Sequence, residues 1–281
     1  MNFFLRLSLA LAVIHGAPLL RATTLDLYGV AAIDGQLFSI NPQSGAGTLV
    51  GALGTSGTPY GIASLNGTLY TFDAGTDQIR PINPITGAAG AGIDIKVGGI
   101  SGEGELTFRS DGIGFLATVF DPNQNPLNGL YSFDISKGTS TFIGSTGRPI
   151  DGLAFDGATL YALGQTDQML YTVNPSNASL TPIGSIGVDH NSPFAGLATG
   201  PNGVLYAAID DRLYTLDKGT GAASPVDPNV LDFGFSSVSG IAFQSRSVPE
   251  GGSMMLPFLA ATIGLAAARH LSKKRVIEPV S

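Results

Sequence analysis

Carboxylate side chains are the groups of this sequence that are numerous enough and suitably placed to do chemistry. The chain contains 21 Asp and Glu residues but only 3 His and no Cys. Paired carboxylates are what hydrolysis of a glycosidic bond requires, and carboxylate oxygens also suit Ca²⁺. Asp is also common in ordinary turns, so a structural role for these carboxylates stays open. Six residues beside five similar segments form the candidate ligand set: Glu103, Glu105, Asp151, Asp189, His190 and Asp232.

Several other chemistries are excluded by composition. Without Cys the chain has no disulfide, thiolate nucleophile or Cys-based zinc site. His190 is the single histidine between residues 23 and 250, which excludes a zinc site with several histidines. No nucleophile-elbow sequence accompanies His190, and no EF-hand or glycine-rich nucleotide loop is present. Residues 23–250 carry 8 Lys and Arg against 20 Asp and Glu, which argues against nucleic acid as a partner.

The candidate carboxylates are placed by an internal repeat of 44 to 47 residues, measured between equivalent Ala or Thr positions. The five similar segments are Tyr60-Gly61-Ile62-Ala63, Gly104-Glu105-Leu106-Thr107-Phe108, Gly152-Leu153-Ala154-Phe155, Gly196-Leu197-Ala198 and Gly240-Ile241-Ala242-Phe243. A period of this length is typical of a repeat architecture and matches one four-stranded propeller blade.

Each repeat divides into four predicted strands. An Asn-Gly or Asp-Gly turn after the first strand, as at Asn66-Gly67, favours a hairpin because both residues accept positive φ. Leu-Tyr pairs follow in the second strand, where Phe115-Leu116 is the predicted equivalent. The third strand ends in Asn-Pro or Asp, and a Gly- and Thr-rich turn leads to an outer strand. The Leu-Tyr pairs are interpreted as blade packing, with an aromatic ligand platform as the alternative.

The two ends of the repeat region complete each other. The sequence from Leu27-Tyr28 begins in mid-blade without an inner strand, and the last segment, from Gly240, is an inner strand without a blade. Sharing one blade closes the ring and removes open edges. We therefore predict an all-β, five-bladed β-propeller over residues 23–246. It resembles the Leu-Tyr … Asn-Pro-x-Thr-Gly … Ile-Gly repeats of many secreted bacterial proteins. In propellers, the loops before the inner strands and those between second and third strands share one face.

The N-terminus has the features of a secretory signal peptide over residues 1–22. Arg6 supplies the positive start, and the apolar run LSLALAVI is too short to span a bilayer. The alternative is a retained N-terminal anchor.

The C-terminal 35 residues, 247–281, have three parts in a fixed order. They are the motif Val248, Pro249, Glu250 and Gly251, the apolar segment 254–268, and the basic cluster Arg269, Lys273, Lys274 and Arg275. This order resembles the PEP-CTERM class of bacterial sorting tails, and Gly251 after Glu250 is closer to its Val-Pro-Asp-Ser-Gly variant. The resemblance implies an exosortase-type sorting enzyme as partner and a transient stay in the inner membrane. An ordinary C-terminal anchor helix is the alternative.

These observations together predict an exported, monomeric propeller at the cell surface or in the extracellular matrix. We expect a non-enzymatic binding or structural module with no required cofactor, in which extracellular polysaccharide or Ca²⁺ is a possible ligand of the rim. The alternative is an extracellular carboxylate-based glycosidase or other propeller hydrolase. Convergence of rim carboxylates around the channel mouth would favour the enzyme.

Overall fold

A computed structural model of the chain describes residues 23–99, 101–121, 123, 125–189, 194–210, 212–228 and 238–247. These residues form twenty β-strands and one short 3₁₀ turn, Pro201–Gly203, in agreement with the all-β prediction. The first ten strands are β1 (Thr23–Ala31), β2 (Gln36–Ile40), β3 (Gly47–Ala52), β4 (Pro59–Leu65), β5 (Thr68–Asp73), β6 (Gln78–Ile82), β7 (Ile93–Asp94), β8 (Ser101–Phe108), β9 (Gly114–Phe120) and β10 (Pro126–Asp134). The other ten are β11 (Thr139–Ser145), β12 (Ile150–Asp156), β13 (Thr159–Gly164), β14 (Met169–Val173), β15 (Leu180–Ser185), β16 (Ala195–Thr199), β17 (Leu205–Ile209), β18 (Arg212–Leu216), β19 (Ala223–Pro225) and β20 (Val238–Ser247).

The strands form five four-stranded sheets, which are the blades of a propeller. Blade 1 has the strand order β20-β1-β2-β3, so the last strand completes the sheet that the first three begin. Blades 2 to 5 follow in chain order as β4–β7, β8–β11, β12–β15 and β16–β19. The innermost strands β20, β4, β8, β12 and β16 adjoin one another in a ring. The prediction of five blades with a shared closing blade is therefore confirmed.

The hydrophobic core lies between neighbouring blades. On an innermost strand, Ile62 packs against blade 1, where it contacts the cluster that includes Val30. The next residue, Ala63, belongs to the cluster shared with Leu106 of blade 3. This alternation follows from the two-residue period of a strand, which turns successive side chains to opposite faces. Each blade therefore buries one apolar face against the blade before it and one against the blade after it.

The repeated glycines bring neighbouring blades into backbone contact. A Cβ atom added to Gly184, at the end of blade 4, would lie 2.0 Å from the carbonyl oxygen of Thr220 in blade 5. Beside this contact, the Ala223 N–H donates a hydrogen bond of 2.9 Å to the Ile186 carbonyl. The recurring Ile-Gly and Thr-Gly sequences are thus explained as the two sides of one inter-blade contact.

One predicted equivalence in blade 3 is wrong by a single residue. In blades 2, 4 and 5, the Tyr of the Leu-Tyr pair lies opposite the Ala of the inner strand. In blade 3 the residue opposite the equivalent Thr107 is Phe115, not Leu116. Gly114 therefore occupies the Leu position of the Leu-Tyr pair. A Cβ atom on Gly114 would lie 2.1 Å from the ring of Phe133, so this ring fills the space that a leucine side chain occupies elsewhere.

The predicted Gly turns are not all alike. Asn66 and Gly67 have φ of 50° and 78°, as the predicted two-residue hairpin turn requires. The turn at Asp111-Gly112 is longer, because the Arg109 N–H donates to the Ile113 carbonyl at 2.9 Å. This longer turn is the physical reason for the one-residue difference in the following strand.

The described strands belong to one compact unit. One compact unit spans Leu25–Arg246, and the remaining unit comprises Met1–Thr24 and Ser247–Ser281. The signal peptide over 1–22, the sorting motif at 248–251, the apolar segment 254–268 and the basic cluster after it lie outside the described residues and stay predictions. In the part of the chain that the structure describes, no helix has the length and apolar character needed to cross a membrane.

Candidate functional site

Four of the five innermost strands have glycine at one level of the central channel: Gly61, Gly152, Gly196 and Gly240. A Cβ atom on Gly196 would lie 2.6 Å from the Gly240 Cα, and one on Gly240 would lie 2.6 Å from the Gly61 Cα. Real Cβ contacts are never this short, so these strands approach one another backbone to backbone. Glycine is required at 196 and 240 for this close approach of the inner strands of blades 5, 1 and 2.

Glu105 occupies this glycine level in blade 3. It lies opposite Ala117 on β9, just as Gly152 lies opposite Leu163 and Gly196 opposite Ala208. The residue is 2% exposed. Among the residues that the structure describes, neither side-chain oxygen of Glu105 has a hydrogen-bond partner. A carboxyl group is thus held in an interior position that the other four blades keep free of any side chain.

The surroundings of Glu105 favour its protonated form. Burial raises the pKa of the Glu105 carboxyl well above its usual 4.5, and the nearby charge of Asp151 raises that pKa further. The backbone N–H of Leu106 acts in the opposite direction without reversing the shift. A carboxylic acid with a raised pKa retains its proton to higher pH and can donate it, which is the property of a general acid.

Asp151 is the second carboxyl group of this site. It lies on β12 of the adjacent blade, directly before Gly152, and is 3% exposed. Two neighbouring carboxyl groups can divide the roles of acid and base between them when one retains its proton and the other is ionised. Glu105 and Asp151 therefore form the candidate functional site, which we call the channel carboxyl pair.

An aromatic pair lies at the same end of the inner strands as the channel carboxyl pair. Tyr60 directly precedes Gly61 in blade 2, and Phe194 precedes Ala195 in blade 5. Their ring centroids are 6.3 Å apart with an interplanar angle of 21°. Both residues are partly exposed. Two aromatic rings that are neither fully buried nor part of the Leu-Tyr pairs thus lie together near the start of the inner strands.

The other half of the channel contains a cavity of about 130 Å³. Its lining includes one small residue from each innermost strand, namely Ala63, Thr107, Ala154, Ala198 and Ala242. This ring confirms the predicted equivalence of the five segments. It also places Thr107, two residues after Glu105, one layer further along the channel.

The two sets of loops predicted to share one face do so in blades 2 and 4. The Ala74 N–H donates to the Thr58 carbonyl at 3.2 Å, and the Gln165 N–H donates to the Pro149 carbonyl at 3.1 Å. At the second of these places, Arg148 contacts both Asp167 and the Tyr171 hydroxyl. Burial, with the hydrogen bond to Asp167, raises the pKa of Tyr171 to about 12. These contacts link the two loops of blade 4.

The predicted rim residues do not all come together. Glu105 and Asp151 are neighbours, but both are buried inside the channel and not on an open rim. Asp189 lies exposed in the loop before β16. Glu103 lies on β8, but its side chain is outside the described part of the structure. His190 and Asp232 lie entirely outside the described residues. Among the described residues, no group of three or more His, Asp or Glu could hold a metal ion, and calcium at the rim stays a prediction.

The sequence contains a signal for this site that residue types alone do not reveal. When the five similar segments are aligned on their Ala or Thr, the residue two positions earlier is Gly in four segments and Glu105 in one. A charged residue at a position of tight backbone packing indicates either a functional role or a position that destabilises the fold. The aromatic pair has no comparable signal, because Tyr60 and Phe194 occupy different positions in their repeats.

No known protein family matches this chain. No curated protein matches it either. Solved structures do match. A gluconolactonase of Xanthomonas campestris superposes with a TM-score of 0.53 at 14% identity, over 76% of this chain and 74% of that one. A structural-genomics protein proposed to be a gluconolactonase superposes with a TM-score of 0.52 at 13% identity, over 78% and 80%. These likenesses show a shared propeller fold.

Proposed function

We propose that this protein is a hydrolase that uses the channel carboxyl pair to cleave a small carbohydrate-derived substrate, with a sugar lactone or ester favoured over a glycoside. The observation that carries the proposal is Glu105, a buried carboxyl at a glycine level of the channel, beside Asp151 of the next blade. Similarity to two propellers named as gluconolactonases supports the preference for a lactone. The binding or structural module predicted from the sequence becomes the second candidate.

The proposed chemistry assigns one role to each carboxyl group. Water attacks the carbonyl carbon of the substrate while Asp151 accepts the proton that the water loses. Glu105 donates its proton to the ring oxygen as the C–O bond breaks, so that an alcohol leaves. Each of these proton transfers contributes about 10²- to 10⁴-fold to the rate in known enzymes. The two carboxyl groups then exchange a proton with solvent to return to their starting state.

Substitution of the pair tests the proposal. The purified protein is assayed with glucono-1,5-lactone, p-nitrophenyl acetate and a set of p-nitrophenyl glycosides. Glu105→Gln and Asp151→Asn should each lower kcat about 10²- to 10⁴-fold on the substrate that is turned over. Asp189→Asn is the matched control, since Asp189 is an exposed acid of the same loop set, and should leave kcat unchanged. Full activity in Glu105→Gln would reject the channel carboxyl pair as the catalytic centre.

The second candidate is a non-enzymatic binding or structural module. The observation that favours it is the closure of the channel, because Glu105 is 2% and Asp151 3% exposed while glycine backbones adjoin one another at their level. Absence of turnover with every substrate in the set, together with a folded protein, would favour this candidate over the hydrolase.

We further propose that the protein is exported and sorted through its C-terminal tail, by an exosortase-type enzyme, to the cell surface or extracellular matrix. The support is the order of motif, apolar segment and basic cluster in residues 248–275. The apolar segment of 15 residues is shorter than the ~20 that a lasting transmembrane helix requires, which favours a transient membrane stay. The basic cluster would remain cytoplasmic and leave the propeller on the outer side.

Two tags distinguish sorting from anchoring. One tag is placed after Thr24 and the other after Ser281. Processing separates the tags and leaves the first on the surface or in the medium, whereas a permanent anchor keeps both in the membrane fraction. Replacement of Pro249 and Glu250 by Ala should block the separation, and replacement of Ser245 and Ser247 by Ala should not. Equal separation in both variants would indicate nonspecific proteolysis.

A further inference from the structure

The ring order of the blades places the aromatic pair across the channel from the carboxyl pair. Tyr60 comes from blade 2 and Phe194 from blade 5, the two blades that flank blade 1. Glu105 and Asp151 come from blades 3 and 4. In a five-membered ring, blades 3 and 4 lie opposite blade 1. This end of the channel therefore has a partly exposed aromatic side and a buried carboxyl side.

The aromatic side is fixed by the closing strand beneath it. Ser239 of β20 is 5% exposed. Its hydroxyl lies 3.3 Å from the Pro59 carbonyl and 3.4 Å from the Val30 carbonyl, within hydrogen-bond distance of both. Because Tyr60 follows Pro59, this contact sets the position of its backbone. The two rings stack and are both partly exposed, unlike fully buried aromatics such as Phe72.

An aromatic surface opposite two carboxyl groups matches the two kinds of surface on a cyclic sugar. The C–H groups of a sugar ring form an apolar face that packs on aromatic rings, while hydroxyl and ring oxygens require polar partners. Small-molecule sites are commonly built this way, with an apolar wall and a few polar groups that fix orientation. A purely apolar ligand would offer the Glu105 carboxyl no hydrogen bond, and a linear polyol would present no apolar face.

We propose that Tyr60 and Phe194 form the binding wall for the apolar face of a cyclic sugar or sugar lactone, and so orient its polar edge toward Glu105 and Asp151. The proposal deepens the hydrolase function proposed above and rests on it for the identity of the reacting bond. The two aromatic residues are positioning residues that bind substrate and take no part in proton transfer.

Binding of a sugar that cannot be hydrolysed tests this assignment separately from catalysis. The probe is 1,5-anhydroglucitol, and the measurement is saturation-transfer NMR with irradiation of the aromatic protons of the purified full-length protein. We expect transfer to the axial C–H protons of the sugar. Tyr60→Leu and Phe194→Leu should each weaken binding about tenfold, since each removes one stacking surface. Tyr60→Phe retains the ring and should retain binding, which separates stacking from a folding defect.

A second aromatic pair provides the matched control. Tyr131 and Phe142 lie on β10 and β11 at the outer side of blade 3, with ring centroids 5.1 Å apart, and Phe142 is 48% exposed. Phe142→Leu should leave the transfer unchanged. An equal loss in Phe142→Leu, or unchanged binding in both Tyr60→Leu and Phe194→Leu, would overturn the proposal.

The outcome also separates this inference from the proposed function. Sugar binding that depends on Tyr60 and Phe194, in a protein that turns over no substrate, supports the binding wall and rejects the hydrolase. Turnover that depends on Glu105 and is unaffected in KM by Tyr60→Leu and Phe194→Leu supports the hydrolase and rejects the binding wall.

Discussion

Glu105 shows at the residue scale how the repeat departs from its own pattern. The other four blades have glycine at its level, and the described residues offer its side-chain oxygens no hydrogen bond. An unsatisfied buried polar group destabilises the folded state by about 1–3 kcal/mol, and more if it is charged. The neighbouring glycines could not be replaced by a residue with a side chain, yet the position of Glu105 accommodates a side chain of five heavy atoms. A destabilising group at a central, enclosed position is typical of a functional residue.

This group should give the protein a pH-dependent stability. The pKa of Glu105 is raised above 4.5 in the folded state, so the folded protein retains a proton that the unfolded chain releases. The free energy of unfolding should therefore fall as the pH rises above 4.5 and through the folded-state pKa. In Glu105→Gln this component is absent, so the variant should gain stability relative to the wild type as pH rises. Urea unfolding at a series of pH values measures the difference.

The exposed Asp189→Asn substitution is the control for that titration and should keep the wild-type pH dependence. Parallel curves of unfolding free energy against pH for the wild type and Glu105→Gln would show that the pKa of Glu105 is not raised in the folded state.

Glu105 can be predicted as a candidate from the sequence, but its burial cannot. The five aligned segments reveal that a Glu replaces Gly, and Asp151 precedes Gly in the next repeat. Sequence position predicts an open rim, because both residues lie near the start of an inner strand. The structure instead places them inside the channel, since the close approach of glycine backbones depends on ring geometry. The stacking of Tyr60 on Phe194 depends on the same geometry and is equally invisible in the sequence.

At the scale of elements, the turn before each outer strand also serves as the contact surface for the preceding blade. Gly51 meets the Thr86 carbonyl as Gly184 meets that of Thr220, with 2.2 and 2.0 Å to an added Cβ. Within each turn, a side-chain oxygen such as that of Asp217 accepts the backbone N–H of Thr220 at 2.8 Å. The turn is thus shaped locally by an Asx-type hydrogen bond and used globally as an inter-blade contact.

Alanine substitution should separate these two roles. Gly184→Ala forces a Cβ against the Thr220 carbonyl and should destabilise the protein by about 1–3 kcal/mol, because the backbones must move apart. Gly219→Ala, in the turn that Gly184 contacts, meets only Asp217 at an ordinary 3.4 Å. That variant should be neutral or more stable by up to about 1 kcal/mol through reduced unfolded-state entropy. Guanidinium unfolding of both variants measures the contrast, and equal effects would contradict the inter-blade role.

Strand assignment from sequence succeeds where turn and packing signals agree. Asn66-Gly67 and the following Leu-Tyr pair locate β4 and β5 correctly. In blade 3 the signals conflict, because Gly114 stands where Leu is expected and the longer turn from Arg109 to Ile113 shifts the strand. Gly114 is smaller than the leucine expected at its position, and Phe133 on the neighbouring strand fills the space. The total side-chain volume across the two strands is therefore conserved. A pattern read along one strand does not detect such compensation.

At the scale of the whole molecule, stability depends on the closing strand β20. Val238 and Ile241 are 0% and 1% exposed and join the core between blades 5 and 1. The Gln244 side-chain amide donates to the Gly67 carbonyl of blade 2 at 2.6 Å. The strand therefore contacts three blades and removes the open inner edge of β1.

Removal of β20 should destabilise the protein far more than removal of the tail that follows it. A chain that ends at residue 247 retains β20 and should melt as the full-length protein does. A chain that ends at residue 237 loses two fully buried aliphatic side chains and a sheet edge, about 5 kcal/mol or more. This is comparable to the stability of a whole domain, so cooperative melting should be lost. Equal melting temperatures, by circular dichroism, would show that the ring closes without β20.

The shared blade also determines when the protein can fold. The Ser239 hydroxyl and its Val30 carbonyl acceptor are 209 residues apart in sequence, and synthesis produces the first partner long before the last. Until β20 leaves the ribosome, the sheet of β1–β3 has an uncovered edge, and contacts of such long sequence separation form slowly. The ring cannot close on a growing chain. Completion of the propeller therefore waits for the end of translation, and until then the unpaired edge of β1 is exposed to association with other chains.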